Sequence, residues 1–125
     1  MEKIKVNSYK DLLVWQKAID ISVEVYQITN NFPQTEIYGL TNQIRRASNS
    51  VSLNIAEGYG RNSTKSYIAF LNIANASLLE LESGLYLSEK LNFIKTNNLE
   101  KIYQMIIEES KMLVSLISKL KLKTQ

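Results

Sequence analysis

Residues 40–60 read LTNQIRRASNSVSLNIAEGYG, and this stretch decides the fold. Small or apolar side chains recur along it every three or four residues, which is the spacing of one face of an α-helix. The pattern therefore predicts an amphipathic helix from about Leu40 to Glu57, with Gly58 and Gly60 suited to a left-handed turn at its end. The inward stripe comprises Leu40, Ile44, Ala47, Val51, Ile55 and Gly58.

Three further segments have the same periodicity. The first runs from Asp11 to about Asn30 and stops before Phe32-Pro33, because proline lacks an amide donor. The third is expected from about Thr64 to Asn92, with Asn62 or Ser63 as its N-cap, and the fourth from a cap at Thr96. The inward residues expected on these last two helices are Tyr67, Leu71, Ala74, Leu78, Leu81, Leu85 and Leu91, then Leu99, Ile102, Ile106, Leu113, Leu116, Ile117 and Leu120.

The 125 residues contain no alternating apolar pattern long enough to compete with helices, and no internal repeat. A chain of this length that is 45% hydrophobic can bury a core without metals or disulfides. Four helices with short connections pack most simply with each antiparallel to the next. We therefore predict an all-α protein, with residues 1–125 forming one antiparallel up-and-down four-helix bundle domain.

The composition excludes most catalytic sites, since the chain has neither histidine nor cysteine. Ser-His-Asp and Cys-His catalysis and histidine-ligated zinc are absent for that reason. The close carboxylate pairs, Glu80/Glu82 and Glu108/Glu109, are spaced so that they do not share a helical face. We predict a protein without enzymatic activity, metal or cofactor.

The sequence also predicts the cellular compartment of the protein. Its first residues lack the order of a secretory signal peptide, and no apolar run approaches the ~20 residues that span a bilayer. The expectation is a soluble cytoplasmic protein that does not associate with a membrane.

Basic residues supply the candidate binding site in a chain of net charge +3. Arg45 is expected to face solvent and to contact phosphate or a protein partner, because a guanidinium can donate two parallel hydrogen bonds to phosphate oxygens. Arg46 is expected along the polar flank, where a link to Gln43, to Ser50, to a glutamate of the third helix or to another subunit is the structural alternative. Arg61 and Lys65 flank the glycine-containing turn, and Glu57 lies four residues before Arg61, a favourable spacing for an ion pair. The candidate nucleic-acid-binding residues are Arg45, Arg46, Arg61, Lys65 and Lys17.

A second set of apolar residues lies away from the predicted core. Leu53 points outward on the second helix, and Ile68, Leu79 and Tyr86 form a separate line on the third, about 100° around the helix from the main stripe. Packing within one chain does not need both lines. These four residues are therefore the predicted oligomer interface.

Several motifs resemble one known family. In order they are LVWQKA at 13–18, Phe32-Pro33 followed by EIYGL at 36–40, QIRRAS at 43–48, NIAEG at 54–58 and Gly60-Arg61, with Phe70-Leu71, Ala74 and Glu80-Leu81-Glu82 after them. They resemble the four helix bundle protein family of bacterial ribosomal intervening-sequence proteins, encoded in or near insertions of large-subunit rRNA genes. The chain is also similar to the accessory variability proteins of diversity-generating retroelements, which pair with a reverse transcriptase and bind nucleic acid through a basic surface.

The resemblance implies an up-and-down four-helix bundle that assembles as a ring, a homopentamer, and it supplies no established activity. Two functional hypotheses follow. In the leading one, a homo-oligomer binds structured RNA or a ribonucleoprotein through a basic patch that symmetry repeats. In the alternative, the oligomer is a scaffold for a polymerase or reverse transcriptase and does not itself contact nucleic acid.

Overall fold

The computed structural model describes residues 6–123, which contain four α-helices and no β-strand. They are α1 (Leu13–Thr29), α2 (Leu40–Tyr59), α3 (Thr64–Lys90) and α4 (Glu100–Leu122). Short 3-10 helices precede α1, α2 and α4, at Tyr9–Asp11, Gln34–Glu36 and Thr96–Asn98. The all-α class and the four predicted helices are confirmed.

One cluster of buried side chains draws on all four helices. The predicted stripe of α2 is buried, as are Val14, Ala18, Ile21 and Val25 of α1. On α3 and α4 the predicted stripes are buried with three exceptions: Tyr67 and Leu116 are half-buried, and Leu91 is exposed. Leu91 lies outside the core because it follows the last residue of α3, where the chain turns away.

Contacts between neighbouring helices run in opposite residue order. Along α2 and α3, Gly58 faces Tyr67 and Phe70, Ser50 faces Ser77, and Ile44 faces Gly84. Along α1 and α4, Lys17 pairs with Glu108 and Glu24 pairs with Lys101. For α2 and α3, the short connection between them accounts for this order.

The end of α2 differs from the sequence-based expectation. The helix continues through Gly58 to Tyr59, and neither Gly58 nor Gly60 has a positive φ. Gly58 is required for a close approach instead. A Cβ there would lie 2.8 Å from Cβ of Phe70 and 3.2 Å from the carbonyl oxygen of Tyr67, so α2 and α3 touch at this point.

The helix ends around α3 are set by local hydrogen bonds. Ser63 is the N-cap, as predicted, and accepts a bond from the Ser66 amide at 3.1 Å. At the other end Asn92 has φ 63°, and the amide of Phe93 bonds the carbonyl of Ser88 while that of Asn92 bonds Glu89. These bonds form a Schellman turn, for which asparagine is suited after glycine.

Thr96 is not the N-cap of α4. It begins the preceding 3-10 helix, and its hydroxyl donates to the carboxylate of Glu89 on α3. α4 then starts at Glu100 without a side-chain cap. In the part of the chain that the structure describes, no helix is both long enough and apolar enough to cross a membrane.

Candidate nucleic-acid interface

Arg45 is held in place by two side chains of α1. Its Nε donates a hydrogen bond to Oγ1 of Thr29 at 2.9 Å, and its guanidinium carbon lies 4.7 Å from the centre of the Tyr26 ring. The Tyr26 hydroxyl in turn accepts a bond from Asn49 at 2.9 Å. Arg45 was expected to face solvent, and it is only partly exposed, because α1 ends beside α2 and its side chains reach the arginine. The terminal nitrogens of the guanidinium have no hydrogen-bond partner within residues 6–123.

Arg46 lies on the next face of α2 and is exposed. The side chain of Arg46 forms no hydrogen bond or ion pair with another residue in the described range 6–123. The proposed links within the subunit are therefore not formed. Ser50 instead accepts from Ser77 of α3 at 2.8 Å and from Asn54 at 2.9 Å. A link from Arg46 to a second subunit stays a prediction.

Arg61 and Lys65 form a second basic group at the α2–α3 turn. Arg61 pairs with Glu57 at 2.8 Å, which confirms the predicted ion pair, and stacks 4.6 Å from the centre of the Phe70 ring. Lys65 is exposed in the first turns of α3. Because Glu57 neutralises part of the charge of Arg61, this group offers less positive charge than its sequence indicates.

The five candidate basic residues do not form one patch. Arg45 and Arg61 are sixteen positions apart, which is about 24 Å at the rise of an α-helix. Lys17 lies on α1 and approaches Glu108 of α4, with 3.9 Å between Nζ and Oε2. The chain therefore presents a group of two arginines, a separate arginine–lysine group and a paired lysine.

Glu109 is the ionisable group that the sequence analysis missed. Its side chain is 0% exposed, and neither carboxylate oxygen has a hydrogen-bond partner among the described residues. Burial raises the pKa of Glu109 from 4.5 to about 8, although the positive charge of Lys17 acts in the opposite direction. At neutral pH the group is therefore largely a neutral carboxylic acid. Its position in the sequence could have predicted its burial, because it is three residues after Ile106 and four before Leu113, in the inward stripe of α4.

The predicted interface residues divide into two kinds. Leu53 is 64% exposed, Leu79 62% and Tyr86 55%, so these three side chains are uncovered in the single chain, as expected from the sequence. Ile68 is half-buried and packs against the core, so most of its nonpolar surface is already used. The uncovered line on α3 is thus shorter than predicted.

Among the described residues, Arg45, Arg46 and Arg61 belong neither to a candidate metal site nor to the lining of a large cavity. No group of three or more aspartates and glutamates in residues 6–123 is placed to hold a metal ion. A cavity of about 890 Å³ lies between the end of α1 and the α3–α4 connection. Its lining is mostly amides and apolar groups with two carboxylates and one lysine, which does not suit an anionic ligand.

Comparisons with known proteins agree with the fold. A solved crystal structure of a protein of unknown function, from the S23 ribosomal protein family of Bacteroides thetaiotaomicron VPI-5482, is similar to this chain, with a TM-score of 0.75 and 28% sequence identity. The similarity covers 84% of this chain and 98% of the other. No curated protein matches.

A family model settles the predicted membership. The model described as 23S rRNA-intervening sequence protein matches residues 10–115, which include all the quoted motifs. The resemblance to ribosomal intervening-sequence proteins is thereby confirmed, while similarity to the accessory variability proteins stays a prediction. The chain belongs to the 23S rRNA-intervening sequence protein family.

Proposed function

We propose that this chain is a non-enzymatic protein that forms an antiparallel up-and-down four-helix bundle, assembles as a ring-like homo-oligomer and binds structured RNA, alone or in a ribonucleoprotein. Five copies are the ring size that the family resemblance implies. The observation that supports RNA binding best is the fixed guanidinium of Arg45 beside the unpaired Arg46.

The side chain of Arg45 is already restrained before an anion binds, unlike that of a mobile surface lysine. Thr29 and Tyr26 restrain its side chain, so little conformational entropy is lost when the guanidinium meets a phosphate. The contact with Thr29 uses Nε and leaves the terminal nitrogens for a ligand. Arg46 adds a second charge on the adjoining face of α2.

Oligomerisation compensates for the modest charge of one chain. A net charge of +3 is low for a nucleic-acid-binding domain, but a ring repeats each arginine pair. Several weak contacts on one RNA then raise the overall affinity through effective concentration. The exposed Leu53, Leu79 and Tyr86 support assembly, because water-exposed apolar groups gain by burial between subunits.

Replacing both arginines by alanine should weaken RNA binding at least tenfold. Each arginine is expected to contact phosphate, so the slope of log affinity against log salt concentration should also become shallower. The measurement is fluorescence anisotropy with a labelled hairpin of 23S rRNA over a salt series. Arg61→Ala/Lys65→Ala should have a smaller effect, because Arg61 already pairs with Glu57.

The control for this experiment is Lys95→Ala/Lys101→Ala, which removes equal charge from the α3–α4 connection and the start of α4. Arg45→Lys keeps the positive charge but removes the restrained guanidinium group, and so tests the role of that group. If wild type and the Arg45/Arg46 variant bind the hairpin equally, the RNA proposal fails. An intact oligomer that binds no RNA would favour the scaffold hypothesis.

Leu53→Ser/Leu79→Ser should lower the molar mass of the protein in solution. The two leucines are the most exposed of the proposed interface residues, so their replacement removes apolar burial between subunits without opening the core. The measurement is light scattering coupled to size-exclusion chromatography. Tyr38→Ser, at a 93% exposed tyrosine before α2, is the control and should leave the mass unchanged. Equal masses for wild type and the leucine variant would contradict this interface.

A further inference from the structure

A shallow groove of about 410 Å³ lies between the start of α1 and the second half of α4. Its apolar floor includes Leu12, Met112 and Leu116, and Leu13 at its edge is 56% exposed. Lys111 and Lys119 line the same groove. They are eight residues apart on α4, which is about 12 Å along one side of the helix.

The two lysines give this groove an uncompensated positive rim. Neither ammonium group has an ion-pair or hydrogen-bond partner in residues 6–123. Glu109, two residues before Lys111, is fully buried, and the exposed acids closest along the sequence are already engaged. Asp11 accepts from the amides of Asn7 and Ser8, and Glu108 pairs with Lys17.

The outer face of α3 has the complementary character. Leu79 and Tyr86 protrude from it. Glu82 lies about 60° to one side of Leu79 around the helix and Glu80 about 100° to the other, so the two carboxylates do not share one face but border the apolar line from opposite sides. Neither glutamate has an ion-pair partner among the described residues. Lys90 lies 5.2 Å from the centre of the Tyr86 ring, so the negative part of this face is centred on Leu79.

We propose that the acidic, apolar face of α3 in one copy docks into the lysine-rimmed groove between α1 and α4 of the next copy. This inference rests on the oligomer in the proposed function and names its two surfaces. Because they are different surfaces, the contact is heterologous and head-to-tail, which is the kind of contact that closes into a ring. Opposite charges at its edges fix the orientation.

Other occupants fit this groove less well. Its lining has no aromatic or arginine side chain on which an RNA base could stack. A bilayer is flat and does not fill a concave floor, whereas the side chains of a helix do. A second copy brings a helix with exposed apolar groups and acids of the right sign.

Charge reversal on either surface should dissociate the oligomer. Lys111→Glu/Lys119→Glu and Glu80→Lys/Glu82→Lys should each give a lower molar mass than wild type by light scattering, at protein concentrations where wild type is assembled. All four side chains lie outside the buried core, so circular dichroism should show unchanged helix content. Lys95→Glu/Lys101→Glu, outside both surfaces, should assemble like wild type.

Mixing the two reversed variants should restore a larger species. The unchanged α3 face of the groove variant can dock into the unchanged groove of the α3 variant. The lysine-bearing α3 face of the second variant can dock into the glutamate-bearing groove of the first, so the charges are opposite in both contacts. Failure of folded variants to assemble on mixing overturns the inference, as does unchanged mass of either variant alone. A monomeric wild type would instead overturn the oligomer itself, on which the proposed function rests.

Discussion

Replacing Glu109 with glutamine is expected to raise the free energy of unfolding by several kcal/mol at pH 9 and to change it little near pH 4.5. The carboxyl is fully buried, and its pKa in the folded protein is about 8 against 4.5 for the free group. One pKa unit corresponds to about 1.4 kcal/mol, which sets the scale of the effect. Glutamine has a similar shape but cannot ionise.

The sign follows from proton binding. Below pH 4.5 the carboxyl is protonated in both the folded and the unfolded chain, so it adds no pH dependence. Between pH 4.5 and about 8 the folded protein keeps a proton that the unfolded chain releases, and stability falls as pH rises. Above pH 8 both states are ionised and the full destabilisation remains.

Urea unfolding at intervals from pH 4.5 to pH 9.5 measures this effect. The difference between Glu109→Gln and wild type should grow steadily up to about pH 8 and then level off. Glu108→Gln is the matched control, because Glu108 is exposed and only weakly paired with Lys17, and its curve should parallel that of wild type. A constant difference between the Glu109 variant and wild type would show that Glu109 is not buried as described.

Gly58→Ala should destabilise the protein by about 2 kcal/mol, although alanine is the better helix former. The new Cβ would lie 2.8 Å from Cβ of Phe70 and 3.0 Å from a ring carbon of Tyr67. Cβ of Phe70 is bonded to the backbone of α3, and the backbone carbonyl oxygen of Tyr67 would lie 3.2 Å away, so the two helices must move apart.

Gly60→Ala is the control for this substitution. Gly60 has φ −78°, which any residue adopts, and a Cβ there would meet its nearest atom at 3.6 Å, an ordinary contact. Alanine at this position should leave stability unchanged or raise it slightly by restricting the unfolded chain. Thermal unfolding followed by circular dichroism compares the two variants. Equal stability of Gly58→Ala and wild type would contradict the close approach of α2 and α3.

Periodicity predicted the helices and most of the core because burial along a helix repeats every three to four residues. It did not predict the burial of Glu109, because the inward stripe of α4 was assigned to apolar residues only and Glu109 is charged. It also assigned Gly58 to a helix end, because a glycine that ends a helix and one that admits a neighbouring helix look the same in sequence.

The site was harder to predict than the fold. Sequence placed Arg45 and Arg46 on diverging faces of α2, which the structure bears out, but it gave no sign that Thr29 and Tyr26 would hold Arg45. That contact joins residues sixteen or more positions apart and depends on how α1 packs on α2. The apolar surface was predicted more accurately at Leu53 and Leu79 than at Ile68, because partial burial depends on neighbours that a helical wheel does not include.

The central claim is that identical copies assemble and that the assembly binds RNA. Native mass spectrometry of the purified protein with and without a 23S rRNA hairpin tests both parts in one measurement. The proposal predicts a homo-oligomer alone, and the same oligomer with bound hairpin when RNA is added. A monomer in both samples, with no RNA-bound species, would contradict it.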